Sequence, residues 1–529
     1  MSTPVAGPFD LCSHRLGALP IVNHFLDRAG LPALLARYLP AADARCRLDP
    51  ATAVRLLVAN LLTGRAPLYA LGEWAAPFAP QLLGLTEAEQ QALGDDQLGR
   101  ALDRLFDADR AGLLTELMLG VVAEFAVDTT ALHNDSTSIS VHGVYRWASG
   151  APRGGKATPV VTFGHSKDHR PDLKQLVWIL TVSADGAVPV AYRLADGNTN
   201  DDPTHIPTWD GLVQLLGRSD FLYVADSKLA SAAAMSHIHT RGGRFITVLP
   251  RNRSEDKWFR DWAQTHRPDW TEAARRPGAR SGEPDRVHYT CGAPLPCAEG
   301  HRIIWILSTA KAARDAATRQ ARIEAGAAAI DALAIKLAGP KCRYKTIVAV
   351  ETAAAEALDK AGASRWLTVT VTATTEESFR QEHRGRPGAD TRYRKTTRTR
   401  HTISWNTRLD VLAYDAVTDG MFPLVTNDTL MTDAQVLAAY RYQPHLERRH
   451  HLLTSVQNAA PLFRQHRIRA VRGQDLNLRP LGYEPPNEST RACSGGRRWT
   501  SAGSPSPLVR EPPTSSSVSH CPALSGRCC

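Results

Sequence analysis

The stretch FLYVADSKLAS, residues 221–231, decides the fold class of this chain. Five apolar or aromatic residues lead directly into Asp226, and a run with helical character follows from Leu229 to His239. A short apolar strand that ends in an acid before a helix is typical of α/β proteins, whose functional groups gather at the carboxyl ends of strands. Asp226 therefore has two interpretations, as a residue that caps the next helix or as a functional carboxylate.

Short strand-like runs surround this stretch. Upstream, LVWILTVS (176–183) and AVPVAYRL (187–194) are rich in β-branched and aromatic residues and are separated by a turn signal at Asp185-Gly186. Downstream, FITVLP (245–250) follows the helical run. Strands in hairpin order that then alternate with helices predict an α/β fold with a mixed sheet and flanking helices.

The amino-terminal part, residues 1–126, is predicted to be a helical domain. Its stretches 53–62 and 98–114 carry apolar residues at helical spacing. Such a domain is either a DNA-binding or dimerising module or a helical bundle of another role. The rest of the chain divides into four predicted segments: a first core segment (127–250), an insertion with β strands (251–425), a second core segment (426–464) and a tail (465–529).

The insertion carries its own local signals. Strand-like runs occur at 302–308, 366–372 and 401–406, and an alanine-rich helix is expected from near Ser308 to the Gly339-Pro340 stop signal. Residues 380–400, RQEHRGRPGADTRYRKTTRTR, are the densest positive cluster in the chain, with seven Arg and one Lys against two acids. The cluster is either a solvated arginine-rich loop or a contact for the DNA backbone. We favour DNA, because so many cations would repel one another without a polyanion.

Composition narrows the class of protein. Lys and Arg outnumber Asp and Glu by 63 to 53, which gives a net charge of +10 and favours a polyanionic partner. The chain has no apolar run of about 18 residues, no secretion signal at its start and no CxxC pair, so we expect a reduced cytoplasmic protein outside the membrane, associated with the nucleoid. It has neither a P-loop nor a dinucleotide fingerprint, so ATP-dependent chemistry is not supported.

Two further acids stand in notable settings. Asp135, in HNDSTSIS (133–140), precedes an alternating run that predicts a half-buried strand, and by itself it reads as a turn residue. Glu447, in YRYQPHLERRHHLL (440–453), lies on a basic helical stretch seven residues after Tyr440, so the two side chains share a face. Pro444 either kinks that helix or starts a new one. Without the other acids, Glu447 reads as part of a solvated charged face.

Three carboxylates are what a pair of divalent cations needs. Mg²⁺ prefers oxygen ligands, and two such ions activate the attacking water or 3′-hydroxyl and stabilise the leaving oxygen of a phosphodiester in an in-line displacement. No nucleophilic side chain is required. Surrounding Lys and Arg then hold the DNA through its phosphates.

Several motifs occur in order along the chain: GHSKDHRPDLKQLVWIL (164–180), GNTNDDPTHIP (197–207), VADSKLAS (224–231), TDGMFPLVTN (418–427) and YRYQPHLERRHHLLTSV (440–456). Together they resemble the IS4-like DDE transposases, in particular the IS1634 family, over roughly residues 15–460. The resemblance implies an RNase H-like catalytic domain, with a mostly β insertion between the second Asp and the Glu and a helical amino-terminal domain.

By position, Asp135, Asp226 and Glu447 match the family's catalytic, metal-binding triad, and Tyr440 matches the tyrosine of its glutamate-helix signature. The implied function is that of a bacterial insertion-sequence transposase that nicks and joins DNA with Mg²⁺, or with Mn²⁺ as a substitute. The implied partners are transposon ends and target DNA, bound by a homo-oligomer. The residues expected to contact DNA are Tyr440, Arg448, Arg449, Arg392, Arg394, Lys395, Arg398 and Arg400.

The chain departs from the family pattern at two positions of the glutamate helix and in its tail. Gln443 stands where the signature has Arg, and Thr454 stands where it has a Lys that is expected to contact transposon-end DNA. Residues 465–529 are rich in Ser, Pro, Arg and Cys without periodicity, so they are either a disordered tail or the product of a frameshift near residue 465. The alternative functions are an inactive truncated transposase copy, a transposase-derived DNA-binding protein and a metal-dependent nuclease on the same fold.

Overall fold

A computed structural model describes residues 13–40, 47–143, 148–152, 155–167, 169–278, 280, 282–339 and 342–456. The tail at 465–529, and with it the frameshift hypothesis, lies outside the described residues. In the described ranges, none of the helices combines the length and the apolar character that crossing a membrane requires.

The amino-terminal region is helical. It contains α1 (Leu19–Arg28), α2 (Leu31–Tyr38), α3 (Pro50–Thr63), α4 (Leu71–Ala75), α5 (Pro80–Leu83), α6 (Glu87–Gln91), α7 (Asp95–Asp107) and α8 (Arg110–Glu124). Their apolar faces share one core, in which Leu19, Leu71 and Leu98 are fully buried. The stretch 98–114 was expected to be one helix, and this expectation is wrong. The backbone is extended at Ala108, and the Asp109 side chain accepts a hydrogen bond from the Gly112 amide to begin a second helix.

The central region alternates strands and helices. Its elements are β1 (Ala131–Val141), β2 (Lys174–Ser183), β3 (Pro189–Ala195), α9 (His205–Leu216), β4 (Leu222–Val224), α10 (Ala232–Thr240) and β5 (Arg244–Val248). The remaining elements are α11 (Ser254–Thr265), β6 (Thr271–Arg276), β7 (Arg286–Gly292), β8 (Arg302–Ser308), α12 (Thr309–Ala338), α13 (Ile347–Ala361), β9 (Leu367–Gln381), β10 (Tyr393–Thr407), α14 (Leu409–Val417), β11 (Met421–Thr426), α15 (Asp433–Tyr440) and α16 (Gln443–His451).

A nine-stranded mixed sheet organises these elements, in the order β3-β2-β1-β4-β5-β11-β8-β7-β6. Strands β1, β2 and β3 are antiparallel, β4 and β5 run parallel to β1, and the strands beyond β5 are antiparallel to their neighbours. Strand β4 lies at the centre and is buried on both faces, with Tyr223 in one core layer and Leu222 and Val224 in the other. The expected mixed sheet with flanking helices is therefore present, and its first five strands are compatible with an RNase H-like fold.

The interval between residues 251 and 425 is mixed rather than mostly β. Strands β6, β7, β8 and β11 continue the main sheet, while α12, α13 and the β9–β10 hairpin enclose a separate core around Ile330, Val350 and Leu367. Helix α12 has 30 residues, begins after a Ser308 cap and ends at Gly339, as its alanine-rich sequence predicts. Alanine favours helix over strand, which is why the interval contains more helix than the resemblance implies.

Candidate active site

The register of the central strands brings Asp135 and Asp226 together. The last residue pair between the parallel strands β1 and β4 is His133 with Val224. Asp135 and Asp226 each lie two residues beyond this pair, so they are level with each other on neighbouring segments in the middle of the sheet. The sequence prediction had Asp135 before its strand, which is wrong: the β2 ladder holds β1 from Leu132 onward, so Asp135 lies within the strand.

Asp226 is a capping residue, which is the first of its two interpretations, and its functional role stays a prediction. Its side chain caps a short 3-10 turn by accepting a hydrogen bond from the Lys228 amide at 3.0 Å. Its backbone carbonyl accepts a hydrogen bond from the Thr247 hydroxyl at 2.6 Å, which ties the end of β4 to β5. These two hydrogen bonds thus hold Asp226 at the carboxyl end of β4.

Helix α16 carries Glu447, the third acid. Pro444 lies in the first turn of α16, so it starts a new helix rather than kinking a continuous one. The helix contacts β1 through a 3.0 Å contact between Gln443 Oε1 and His133 Nδ1, and its buried Leu446 packs with Leu180 and Val182 of β2. Gln443, at the position where the resemblance leads us to expect an arginine, therefore fastens α16 to β1. Glu447 itself is exposed.

The two arginines after Glu447 have different surroundings. Arg448 is exposed, whereas the Arg449 guanidinium donates hydrogen bonds to the backbone carbonyls of Gly186 and Ala187 at 2.7 and 2.9 Å. Arg449 thereby fastens α16 to the turn between β2 and β3. Its expected contact with DNA competes with this structural role, because a guanidinium that is held by two carbonyls is less available to a phosphate.

Tyr440, the last residue of α15, lies within electrostatic reach of the three acids. Burial, followed by the negative charges of Asp226, Glu447 and Asp135, raises the pKa of Tyr440 to about 12. A phenol responds in this way only when the carboxylates lie within electrostatic reach of it. The phenol therefore keeps its proton at neutral pH and adds no negative charge to the group of acids.

Asp135 carries the strongest electrostatic perturbation among the acids. Burial, together with smaller contributions from the charges of Asp226 and Asp201, raises the pKa of Asp135 to about 6, although Lys167 opposes the shift. Asp201 is thus a fourth carboxylate of the site, which the sequence did not single out. Its neighbourhood also includes buried His205, whose ring contacts the Tyr223 hydroxyl at 3.2 Å.

The raised pKa of Asp135 predicts a dependence of stability on pH. Because the pKa in the folded state (about 6) exceeds the ordinary value (3.8), ionising Asp135 lowers the stability of the fold as the pH rises from about 4 to about 6, and the loss is complete above that range. We expect Asp135→Asn to raise the free energy of unfolding by about 1–2 kcal/mol at pH 8 in EDTA, allowing for the exposed part of the side chain. The gain should shrink as the pH falls toward 4.

Urea unfolding at several pH values measures this effect. The control is Asp202→Asn, which removes a carboxylate that lies beside the site but is exposed to solvent. A gain from Asp135→Asn that is equal at pH 4 and pH 8 would contradict the assignment.

Lys167 and Asp201 come to the site from the two motif loops. The Lys167 ammonium lies 3.3 Å from Asp201 Oδ2 and 3.8 Å from Asp135 Oδ1. In the sequence, both residues belong to the ordered motifs, Lys167 to GHSKD and Asp201 to GNTND.

Two glycines let these loops approach each other closely. A Cβ atom on Gly197 would lie 2.0 Å from the Gln175 carbonyl oxygen, and one on Gly164 would lie 2.0 Å from the Gly197 carbonyl oxygen. The Gln175 side chain, buried between the loops, donates to the Gly197 carbonyl at 2.7 Å. Only glycine permits this packing, so the motif glycines position the segments that carry Lys167 and Asp201.

We expect Gly197→Ala to destabilise the fold by roughly 2–3 kcal/mol, because the added methyl group meets backbone atoms that cannot move aside. Gly211→Ala is the matched control: it lies in α9 with open space around its Cβ position, so alanine should be neutral or slightly stabilising there. Thermal unfolding of both variants tests this. Equal melting temperatures for Gly197→Ala and Gly211→Ala would show that the close approach is not needed.

The carboxylates of the site are the kind of ligand that a hard divalent cation prefers, but the described side chains are not arranged around one metal position. Asp135 and Asp226 offer oxygen ligands, and their mutual repulsion favours an added positive charge. Across the described ranges, however, no three His, Cys, Asp or Glu side chains converge closely enough to hold a metal ion. The charge of Glu447 acts on Tyr440, beside the two aspartates.

The basic cluster forms the far end of a two-stranded ribbon, with residues 382–392 as the loop at its tip. Strands β9 and β10 pair over fifteen residues each, from Leu367–Thr407 to Gln381–Tyr393, which is well beyond the strand-like runs in the sequence. The longer pairing is possible because threonines alternate with the charged residues, and threonine favours extended backbone. Side chains alternate between the two faces of a strand, so every second cation shares a face.

One face of this ribbon is strongly basic. Arg394, Arg398 and Arg400 lie on it, and Arg380 stands directly opposite Arg394. Like charges directly opposite each other destabilise a strand pair, so this face favours a polyanion. Arg400 is paired with Glu376 at 2.9 Å.

The other expected DNA-contacting residues of the ribbon are placed differently. Lys395 lies on the opposite face and pairs with Glu377 at 2.6 Å. Arg392 precedes β10 near the tip of the ribbon and is exposed. The basic face is therefore defined by Arg380, Arg394, Arg398 and Arg400.

Comparison with known proteins identifies a domain family in the amino-terminal region. Residues 11–119 match the model of a family described as a domain of unknown function (DUF4277), so the chain carries this domain in its helical amino-terminal region. No curated protein matches the chain. A search of solved structures finds the cryo-EM structure of a piggyBac transposase synaptic complex with hairpin DNA, at 10% identity and a TM-score of 0.23, over 53% of this chain and 51% of that transposase.

That structural similarity is too weak to support an argument about fold or function. The chain spans about half the length of the transposase it matches. Neither comparison names the IS4-like group, so the assignment to the IS1634 family stays a prediction.

Proposed function

We propose that this protein is a DDE transposase of an insertion sequence, of the IS4-like group and the IS1634 family, which cuts and joins DNA at element ends. The observation that carries the proposal is that Asp135 and Asp226 lie level with each other on the adjacent parallel chain segments of β1 and β4, while the charge of Glu447 acts on Tyr440 beside them. The ordered motifs of the sequence support it, and the strand order β3-β2-β1-β4-β5 supports an RNase H-like core.

In this proposal Asp135, Asp226 and Glu447 hold the metal. Bound Mg²⁺, or Mn²⁺ in its place, supplies activation of the attacking water or 3′-hydroxyl and stabilisation of the leaving oxygen. The protein contributes the position of the carboxylates: Asp226 through its cap on the Lys228 amide, and Asp135 through the ladders on both sides of β1. Tyr440 stays protonated beside them and leaves the negative charge of the site to the acids.

DNA is held through its phosphates by exposed cations. The basic face of the ribbon and Arg448 are the proposed contacts, while Arg449 serves mainly to fasten α16. Phosphate contacts of this kind position DNA without reading its sequence. A two-stranded ribbon is also of a size that the major groove of B-DNA admits.

Two observations favour a second candidate, a transposase-derived protein that binds DNA but no longer cuts it. Among the described residues, no three His, Cys, Asp or Glu side chains are placed so that they could hold a metal ion. Thr454, which replaces the expected DNA-contacting lysine, donates its hydroxyl to the His450 carbonyl at 3.0 Å and so points back along its own helix. An inactive copy of a transposase would have both properties.

A strand-transfer assay separates these functions. Purified full-length protein is incubated with labelled duplexes that carry the element ends and with a supercoiled target plasmid, in Mg²⁺, Mn²⁺ or EDTA. A transposase yields nicks at the ends and joined products that depend on metal. A DNA-binding protein shifts the labelled duplex without products, and a nuclease cuts without joining, so either of these results would refute the proposed function.

A further inference from the structure

Lys167 is held in the candidate site at both ends of the residue. Its backbone amide donates to the Ser138 hydroxyl on β1 at 2.9 Å. Its ammonium donates to the Ser136 hydroxyl at 2.7 Å and to the Ser136 backbone carbonyl. A lysine with these contacts is not a solvated surface cation, although 35% of its side chain remains exposed.

The ammonium lies between two carboxylates that would otherwise face each other. Asp201 is 3.3 Å from it and Asp135 is 3.8 Å from it, and the Ser136 hydroxyl donates to Asp201 Oδ1 at 2.5 Å. The Lys167 charge also opposes the rise in the pKa of Asp135. Lys167 is therefore a cation that compensates the charges of Asp135 and Asp201.

The buried His450 is independent evidence for a position next to Asp135 that takes a water molecule or a cation. His450 is 6% exposed, and its Nε2 atom lies 4.0 Å from Asp135 Oδ2. Neither of its ring nitrogens has a hydrogen-bond partner among the described residues. Buried polar atoms are normally paired, so two unpaired nitrogens beside a carboxylate indicate a place for a water molecule or a ligand of a cation.

We propose that Lys167 is a positioning residue that occupies the cation position beside Asp135 and Asp201, and that a divalent metal ion must displace its ammonium from Asp135 to bind. This inference rests on the proposed function, because it concerns the same acids. A positive charge about 4 Å from a ligand carboxylate weakens the binding of any second cation there. Removing that charge should accordingly strengthen metal binding, which is the opposite of what the loss of a purely structural residue would do.

The test measures Mn²⁺ binding to the full-length protein without DNA, by the electron paramagnetic resonance signal of free Mn²⁺. We expect Lys167→Met to bind Mn²⁺ roughly tenfold more tightly than the wild type, since one charge near the ligands is removed. Lys167→Arg, which keeps the charge, should stay close to the wild type. The matched control is Lys228→Met, because Lys228 also pairs with an aspartate, Asp202, at 3.4 Å, but at the exposed rim of the site. It should leave Mn²⁺ binding unchanged.

A second measurement on the wild type does not depend on how any variant folds. Reductive methylation of lysines, followed by mass spectrometry of peptides, reports how readily each ammonium reacts. Mn²⁺ should raise the rate at Lys167 at least several-fold and leave the rate at Lys228 unchanged. A methylation rate at Lys167 that is indifferent to Mn²⁺ overturns the inference.

The outcomes separate this inference from the proposed function. If the wild type binds Mn²⁺ and Lys167→Met binds it equally or more weakly, only the role of Lys167 is refuted. If neither protein binds Mn²⁺, the metal-dependent function falls together with it. Tighter binding by Lys167→Met, combined with faster methylation of Lys167 in Mn²⁺, supports both.

Discussion

Asp226→Asn should lower the rates of DNA nicking and strand transfer by a factor on the order of 10³ or more, without unfolding the protein. A metal-bound carboxylate contributes several kcal/mol to the stabilisation of the transition state, which corresponds to a loss of this size. The fold should survive because an asparagine oxygen still accepts the hydrogen bond from the Lys228 amide that begins the 3-10 turn. DNA binding should persist, since the exposed cations are unchanged.

The control for this experiment is Asp202→Asn, which has the same chemistry at an exposed position of the same neighbourhood and pairs with Lys228. Nicking and strand transfer should be unaffected by it. Activity that persists in Asp226→Asn would refute the proposed triad. Glu447→Gln extends the test: if it is as active as the wild type while Asp226→Asn is inactive, the third ligand is a residue other than the exposed Glu447.

Neutralising the basic face of the ribbon should have the second largest effect. We expect the triple variant Arg394→Gln, Arg398→Gln and Arg400→Gln to bind DNA at least tenfold more weakly at about 0.1 M salt. The slope of log K against log salt should fall in magnitude by roughly 2 to 3, because each lost phosphate contact releases about 0.9 fewer counterions. Arg400 already pairs with Glu376, so the lower end of this range is expected. Stability should not change, because the three side chains are exposed.

The matched control neutralises three exposed arginines elsewhere. Arg218, Arg275 and Arg286 each pair with a surface acid, so their replacement by glutamine gives the same net charge without touching the ribbon. A salt titration of DNA binding compares the two triple variants and the wild type. If both variants show the same slope, the ribbon is a solvated structure and general charge drives binding.

Much of the local structure follows from the sequence. The strands at 176–183, 245–250 and 302–308 were predicted nearly residue for residue, because the hydrophobic period of a strand or helix is set by residues that are neighbours in the sequence. The limits of elements were less predictable. The strands of the ribbon run past their apolar parts, and the stretch 98–114 divides at Asp109, since pairing partners and caps decide where an element ends.

The sequence by itself determined which acids stand at or beside strands, where the cations cluster and which glycines the motifs contain. Only the tertiary structure decided that Asp135 lies level with Asp226, that Lys167 and Asp201 join them, and that Arg449 is bound to a turn. Periodicity and propensity depend on adjacent residues, whereas strand register and the charges around a carboxylate depend on segments that meet only when the chain closes on itself. The candidate site therefore depends on tertiary contacts between segments that are distant in the sequence.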